Sequence, residues 1–493
     1  MTSGRPSLNW WKATWLRRAW KRYASWIEEG IYFFLFLVTL WLNLWPRPWA
    51  ADTLVMEGRL ARLHEDKPQA LTLWLRAAEY LPDYPKIWRG IASLAYEAAD
   101  YPTVIRALEQ LSAYESLLPM EQRNLAEAYF QTGDLAAAAD IWLALMRDAH
   151  VSSPERVELV THLRRINLDL ARQAVRVWLE QFPDDPKALQ LAILLFASRD
   201  PALALDCFQK VSTISGQSHS VYQALGEALT SAAHQPGDVA ALMRVGQVLG
   251  QSSEWDLARE AFEQVVVQAP EYAEGWVLLS EARQQLGQSG LEELEMAYRL
   301  APDAAAVRAA WGLYWRRAGQ PERALPFYQA LARQFPEDPR WQMEMAETYA
   351  AMGDVALAVN YYDWAVALAP QDALVWRYYA RFALAYGLDL ETYALPAARK
   401  ALELEPDDPE TLDLMGWITF LNGDVVQGER FLQQALIKDT HYMPALLHQA
   451  QIWLWQREWE SAHEALLQVV SQSNNSELVL QAQRLLEQYF PQR

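Results

Sequence analysis

The sequence predicts an all-helical solenoid of repeated helix pairs preceded by one membrane-spanning helix. Three observations lead there. Pro336 and Pro370 stand 34 residues apart, and the residues before each repeat one pattern: Gly319, Ala324, Tyr328 and Leu331, then Gly353, Ala358, Tyr362 and Ala365. A fixed period of that length, with small residues where paired helices touch and a proline at the unit's end, marks a stack of helix-turn-helix units. The composition agrees, since 52% of the 493 residues are hydrophobic and only 20 are glycine, enough for a continuous helical core. Finally, Ile31 to Trp45 is a run of fifteen uncharged, mainly apolar residues at the N-terminal end.

Taken in chain order, residues 1–25 form a basic, aromatic segment. Up to residue 27 there are six bases (Arg5, Lys12, Arg17, Arg18, Lys21, Arg22) and no acid, interleaved with Trp10, Trp11, Trp15, Trp20, Tyr23 and Trp26. Trp15, Arg17, Arg18, Trp20, Lys21 and Arg22 are the residues expected at an anionic lipid interface. Residues 26–48 are read as the spanning helix. Extended back to Trp26, the apolar run reaches the ~20 residues that cross a hydrocarbon core, with Trp41, Trp45 and Trp49 near the far interface. By the positive-inside rule the N-terminus is cytoplasmic and the remainder extracytoplasmic, which in a bacterium means periplasmic or extracellular. Ala50 and Ala51 follow the run as a cleavage site would, but the basic leader is long for a signal peptide and Pro48 is a poor small-residue match.

From residue 51 onward, counting back from each terminal proline or turn glycine places units near Ala51, Pro85, Pro119, Ser152, Pro186, Val239, Ala273, Ala305, Pro339, Ala373, Pro409 and Met443. Residues 51–235 form a first set, irregular from about 187, where glycine and proline punctuation is lost. Residues 236–474 form a second set, and 475–493 a capping helix and tail. Within the second set, the unit at Ala273 is about two residues short and that at Ala373 carries an insertion near Leu388 to Thr392. The boundaries read PDYP at Pro82, PDDP at Pro183, PEDP at Pro336 and PDDP at Pro406. Aspartate there is a good N-cap and the following proline suits the first helical turn.

These units resemble the tetratricopeptide repeat family. The match is best over Trp311, Gly312, Trp315, Ala324, Tyr328 and Pro336, and over Met345, Ala346, Tyr349, Ala358, Tyr362, Ala365 and Pro370; Leu54, Gly58, Ala70, Trp74, Ala77 and Pro82 repeat it early in the chain. The resemblance implies a right-handed superhelix that binds partners rather than catalyses, in a concave groove lined by the first helix of each unit. Mapped onto this chain, the groove positions include Arg316, Arg340, Met343, Arg377 and Arg381, then Trp417 and Phe420. Arginine holds a carboxylate or phosphate through two parallel hydrogen bonds, so an acidic tail or anionic glycan is one expected ligand; salt bridging to neighbouring repeats is the alternative use of the same residues. Aromatic side chains anchor interfaces, and they also pack repeats together.

Several chemistries find no support. Cys207 is the only cysteine, and the eight histidines lack metal-ligand spacing, so neither a zinc site nor any other metal or cofactor is expected. Phosphate-loop and nucleophile-elbow motifs are absent from the sequence, and catalytic residues are not expected. Setting aside the leader's six bases and the two acids of the span, the formal charge of −19 becomes −23 for the rest, which argues against nucleic acid as a partner. The expected function is a non-enzymatic, membrane-anchored scaffold for proteins of an envelope or membrane complex. An accessory role in envelope polysaccharide assembly or export, with glycan in the groove, is the alternative.

Overall fold

The computed structural model describes residues 30–40, 46–64, 66–215, 220–235, 237–473 and 475–491. All regular structure among them is helical, and the chain divides into two compact units, Met1–Ala192 and Ile193–Arg493. Within each unit, consecutive antiparallel helices pair and stack on their neighbours in chain order.

The period seen in the sequence marks real helix starts. First helices begin at Pro85, Pro119, Pro186, Val239, Ala273, Ala305, Pro339, Ala373, Pro409 and Met443, and Ser152 caps the helix Ser153–Ile166. Aspartates at the boundaries cap them: the Asp338, Asp372 and Asp408 carboxylates accept from the backbone N–H of Arg340, Leu374 and Thr411 at 3.1, 2.9 and 2.8 Å. Tryptophan closes several of the same turns from the other side. The indole N–H groups of Trp88, Trp276 and Trp376 donate to the carbonyls of Pro82, Pro270 and Pro370 at 2.6, 2.8 and 3.0 Å. Inside a unit the tight turn between helices needs a left-handed residue, supplied for instance by Gly353 at φ +87°.

Small residues on first helices exist to admit large ones from second helices. A Cβ on Gly312 would lie 2.5 Å from the Tyr328 ring, and one on Gly246 would lie 2.5 Å from Phe262. Tyr328, Tyr362 and Phe262 are accordingly almost wholly buried, beside fully buried Ala324, Ala358 and Ala258. In the second unit this core thickens into an aromatic stack, with Tyr362 parallel to Tyr379 at 5.2 Å and tilted against Phe382 at 4.6 Å.

The irregular stretch has a concrete cause. Between Pro186 and Val239 lie three helices, Pro186–Phe196, Pro201–Ser215 and Ser220–His234, where the period allows a pair. Ser220–His234 packs against both Pro201–Ser215 and Val239–Gln251, a single helix inserted without a mate. The short unit at Ala273 loses its residues from its second helix, Leu291–Leu300. The insertion near Leu388 is absorbed as a π-helical turn, Leu390–Ala394, ahead of Leu395–Leu404.

The expected spanning segment, 26–48, is covered only in part. Residues 30–40 are helical, and Ile31 to Leu37 are all exposed, Tyr32 by 71% and Phe34 by 65%. Residues 26–29 and 41–45 lie outside the described residues, as do Trp15, Arg17, Arg18, Trp20, Lys21 and Arg22. Residues 46–48, read as the end of the span, belong instead to the helix Pro46–Leu63, where proline occupies the first turn as it does in other helices of the stack. Among the described residues no helix is long and apolar enough to cross a membrane.

Candidate functional site

In the second unit the first helices Ala305–Arg317, Pro339–Ala351 and Ala373–Ala385 line a cavity of about 640 Å³, with Arg316, Arg340, Met343, Glu344, Glu347, Leu374, Tyr378, Arg381 and Tyr386 on its wall. A second cavity of about 670 Å³ runs on along Ala373–Ala385, Pro409–Leu421 and Met443–Gln456, and reaches Gln481 of the last helix. Arg381 and Ala385 border both, so the two form one groove.

The arginines of this groove are already engaged. Arg316 meets the Glu344 carboxylate at 2.6 Å and lies 5.7 Å from the Tyr328 ring. Arg340 forks onto Asp338, Nε at 3.0 Å and Nη2 at 2.6 Å, although its side chain stays 70% exposed. Arg377 is buried, donates from Nη1 to Glu405 at 2.7 Å, Asp408 at 2.5 Å and Thr411 at 3.0 Å, and is not on the wall of either cavity. Arg381 bonds Glu410 at 2.7 Å and covers the Tyr378 ring at 4.6 Å. Of the two uses foreseen for these arginines, ligand holding and salt bridging, the contacts within the chain are salt bridges. Arg316, Arg377 and Arg381 reach carboxylates on the next unit and Arg340 reaches that of its own cap, because the stacked helices bring those positions within side-chain reach.

The same ladder runs through the first unit. Arg123 meets Glu155 at 2.8 Å, beside a cavity of about 460 Å³, and Arg89 bonds Glu115 and Glu121. Glu155 is also the third residue of its helix. It accepts from the Ser152 N–H at 2.8 Å and hydroxyl at 2.7 Å, and these bonds, aided by Arg123, pull its carboxyl down to about 2. A depressed carboxyl contributes stability that is complete above the ordinary value of 4.5 and fades as pH falls toward about 2. Unfolding of the full chain in urea between pH 6 and pH 3 is thus expected to lose less stability in Glu155→Gln than in the parent. An equal loss in both would show that the box carries none of the acid sensitivity.

Of the two aromatic residues mapped to the groove, Trp417 borders it and Phe420 does not. Trp417 borders the groove and stacks on His448 at 4.4 Å and 12°, while His448 Nδ1 lies 2.7 Å from the Asp413 carboxylate. Phe420 packs between Trp417 at 5.3 Å and Trp455 at 5.9 Å, off the cavity walls. Met343 lies on the wall but is 9% exposed.

What remains open on the groove wall was less visible in the sequence. Leu374, Tyr378, Tyr386 and Leu421 are 42, 38, 40 and 45% exposed. Glu347 borders the cavity and accepts from the Tyr362 hydroxyl at 2.5 Å. Burial, with Glu347 beside it, raises the Tyr362 phenol far above its ordinary range, so the proton stays on the tyrosine. Tyr378 sits one position beyond the groove-facing Arg377 in the expected register, which is why that register passed it over.

No cluster of His, Cys, Asp or Glu suited to a metal occurs among the described residues. Cys207 is buried, and burial pushes its thiol up to about 11, which makes it a core residue and a poor nucleophile.

A stack of helix pairs with an open groove whose arginines are paired to carboxylates defines a helical-repeat interaction scaffold. The sequence profile of the tetratricopeptide repeat matches residues 316–387, the segment that walls the first cavity. Over that segment the chain carries tetratricopeptide repeat sequence. It is similar to the TPR repeat-containing protein PA4667 of Pseudomonas aeruginosa, with 34% identity over 121 residues, which cover 24% of this chain and 20% of that protein. The chain thus spans about a fifth of that relative. Among solved structures it is similar to yeast Tom70, at 14% identity over 90% of this chain and 96% of the other, with a TM-score of 0.45. It is also similar to the Cut9–Hcn1 hetero-tetramer of the APC/C, at 15% identity over 88% and 96%, with a TM-score of 0.36.

Proposed function

We propose that the chain is a non-enzymatic, membrane-anchored scaffold whose groove receives an extended segment of a partner protein bearing cationic and apolar side chains. One observation carries this reading: in and under the groove wall, four guanidinium groups (Arg316, Arg340, Arg377, Arg381) face seven carboxylates (Asp338, Glu344, Glu347, Glu405, Asp408, Glu410, Asp413). The surplus is acidic, and the open apolar positions are Leu374, Tyr378, Tyr386 and Leu421. Exposed tyrosines beside a charge surplus suit peptide recognition, with the rings anchoring and the carboxylates selecting. The pairing of Arg316, Arg377 and Arg381 counts against an acidic tail or an anionic glycan in the same groove.

Anchoring is supported by the uncharged run from Ile31 to Trp45 and by the bases ahead of it, with the repeats on the extracytoplasmic side. Protease protection of the repeats in sealed right-side-out membranes would count against that orientation.

Fluorescence anisotropy with labelled peptides, lysine- and arginine-rich or aspartate- and glutamate-rich around a shared aromatic core, tests the groove on the full chain in detergent. Cationic peptides are expected to bind, Tyr378→Ala to weaken them by roughly tenfold or more, and Arg381→Gln to leave them bound. Preferential binding of the acidic series, lost in Arg381→Gln, would overturn the assignment in favour of an anionic ligand.

A further inference from the structure

The two ends of a repeat stack face the same physical demand: each terminal helix must present a polar outer face, since no further unit covers it. The last helix, Ser476–Tyr489, does so. Its exposed positions are mostly polar, with Glu477, Gln481, Gln483, Arg484, Glu487 and Gln488 outward beside Leu480 and Tyr489. The first helix, Pro46–Leu63, does not. Its inner face is closed by Ala51, Gly58 and Ala61, all buried, but Trp49, Met56, Leu60 and Leu63 are exposed by 71, 56, 55 and 79%. Their spacing of seven, four and three residues puts them on one stripe of the helix. Of the polar residues on that side, Arg59 folds its guanidinium back to within 3.9 Å of the Met56 sulfur, Thr53 donates its hydroxyl to the Trp49 carbonyl at 2.8 Å, and Asp52, Glu57 and His64 stand at the margins of the stripe.

We propose that this stripe is seated in the headgroup and upper acyl region of an anionic bilayer, so that the repeats rest on the membrane along their first helix. The inference rests on the anchored reading above and adds a second, lateral contact to it. Two features select lipid as the occupant. Only residues 41–45 separate the helix from residues 30–40, whose apolar side chains are exposed on nearly every side, so any bilayer holding that run lies next to Trp49. The six bases and no acids of residues 1–27 give the same end of the chain an affinity for anionic lipid. An 18-residue helix is about 27 Å long, and a tryptophan at its start, apolar residues along one side and an arginine able to extend to phosphate are the composition of an interfacial helix.

The test uses the full chain with Cys207→Ala, reconstituted into phosphatidylcholine–phosphatidylglycerol vesicles. Leu60→Cys and Leu63→Cys each carry an environment-sensitive fluorophore, and Ile437→Cys, 76% exposed on a helix of the second unit, is the comparison. All three positions are at the surface, so folding checked by circular dichroism should be unchanged. Fluorophores at 60 and 63 are expected to shift to the blue and to be quenched several-fold more than that at 437 by lipids bearing a nitroxide near the headgroup. Protein that floats with the vesicles while its probes at 60 and 63 behave like that at 437 would overturn the seating and leave the anchor standing. Blue-shifted but unquenched probes would assign the stripe to a protein neighbour and overturn the lipid assignment. Failure to float would overturn the anchor and the seating together.

Discussion

Arg156→Ala is expected to destabilise the N-terminal unit by about 3–5 kcal/mol, because it leaves several buried carbonyls without a donor at roughly 1–3 kcal/mol each. Arg156 is 1% exposed and its guanidinium is spent on neutral acceptors. Nε donates to the Val151 carbonyl at 3.1 Å, Nη1 to Met146 at 2.8 Å, and Nη2 to Asp148 at 2.7 Å and to the Gln181 amide oxygen at 3.1 Å. Met146 ends the helix Leu135–Met146, so the cation serves carbonyls that a helix end leaves without partners, at the negative end of its dipole. The faces of Trp178 and Phe182, 5.9 and 4.9 Å from the guanidinium carbon, complete the enclosure. Burial lowers the affinity of this arginine for its proton, with Asp185 and Asp148 opposing, yet a guanidinium stays charged in any case. Lysine offers a point charge without the planar fork, so Arg156→Lys should recover only part of the loss. Hydrogen exchange on the full chain is the direct measurement. Protection should fall across residues 144–156 and 178–182 in the alanine variant, and unchanged protection there would mean that water replaces the guanidinium without penalty.

Gly90→Ala should be nearly as damaging for the opposite reason, an excess of atoms. The Trp74 indole passes between two first helices: a Cβ on Gly58 would lie 2.3 Å from its Cδ1, and one on Gly90 would lie 1.4 Å from its Cζ3. The bicyclic ring has no flexible end to withdraw, so the indole must leave its rotamer or the helices Pro46–Leu63 and Pro85–Glu97 must move apart. Overpacking of this kind costs about 1–3 kcal/mol. Removing the ring instead should cost more, about 3–5 kcal/mol for Trp74→Ala, because the groove beside both glycines empties. The diagnostic result is the pair. In the Trp74→Ala background the extra methyl meets no ring, and Gly90→Ala should become neutral or favourable by up to about 1 kcal/mol through helix propensity. Urea denaturation of the four proteins reads this as a strongly non-additive cycle, and additive losses would exclude the ring-to-Cβ contact as the cause.

Both cases show which parts of the protein were readable in advance. Unit starts such as Pro85, Pro339 and Pro409 are local events, a capping aspartate and a proline in the first turn, and local chemistry leaves its mark in consecutive residues. The small residues opposite Tyr328 and Tyr362 were readable as well, because a helix crossing can close only where one side lacks bulk. The inserted helix Ser220–His234 was visible only as lost punctuation, since its own spacing is as helical as that of its neighbours.

Amino-acid order alone therefore settles the repeat, its period and its caps, all of which depend on contacts a few residues to one period apart. The condition of the groove depends on something else. Whether Arg377 is open to a ligand or closed on Glu405 and Asp408 turns on how two successive units superpose, and whether Trp49, Met56, Leu60 and Leu63 are core or surface turns on there being no described repeat packed against them. Those are properties of the stack. A residue's type tells what it can bond, and the neighbouring unit's position tells what is left for it to bond.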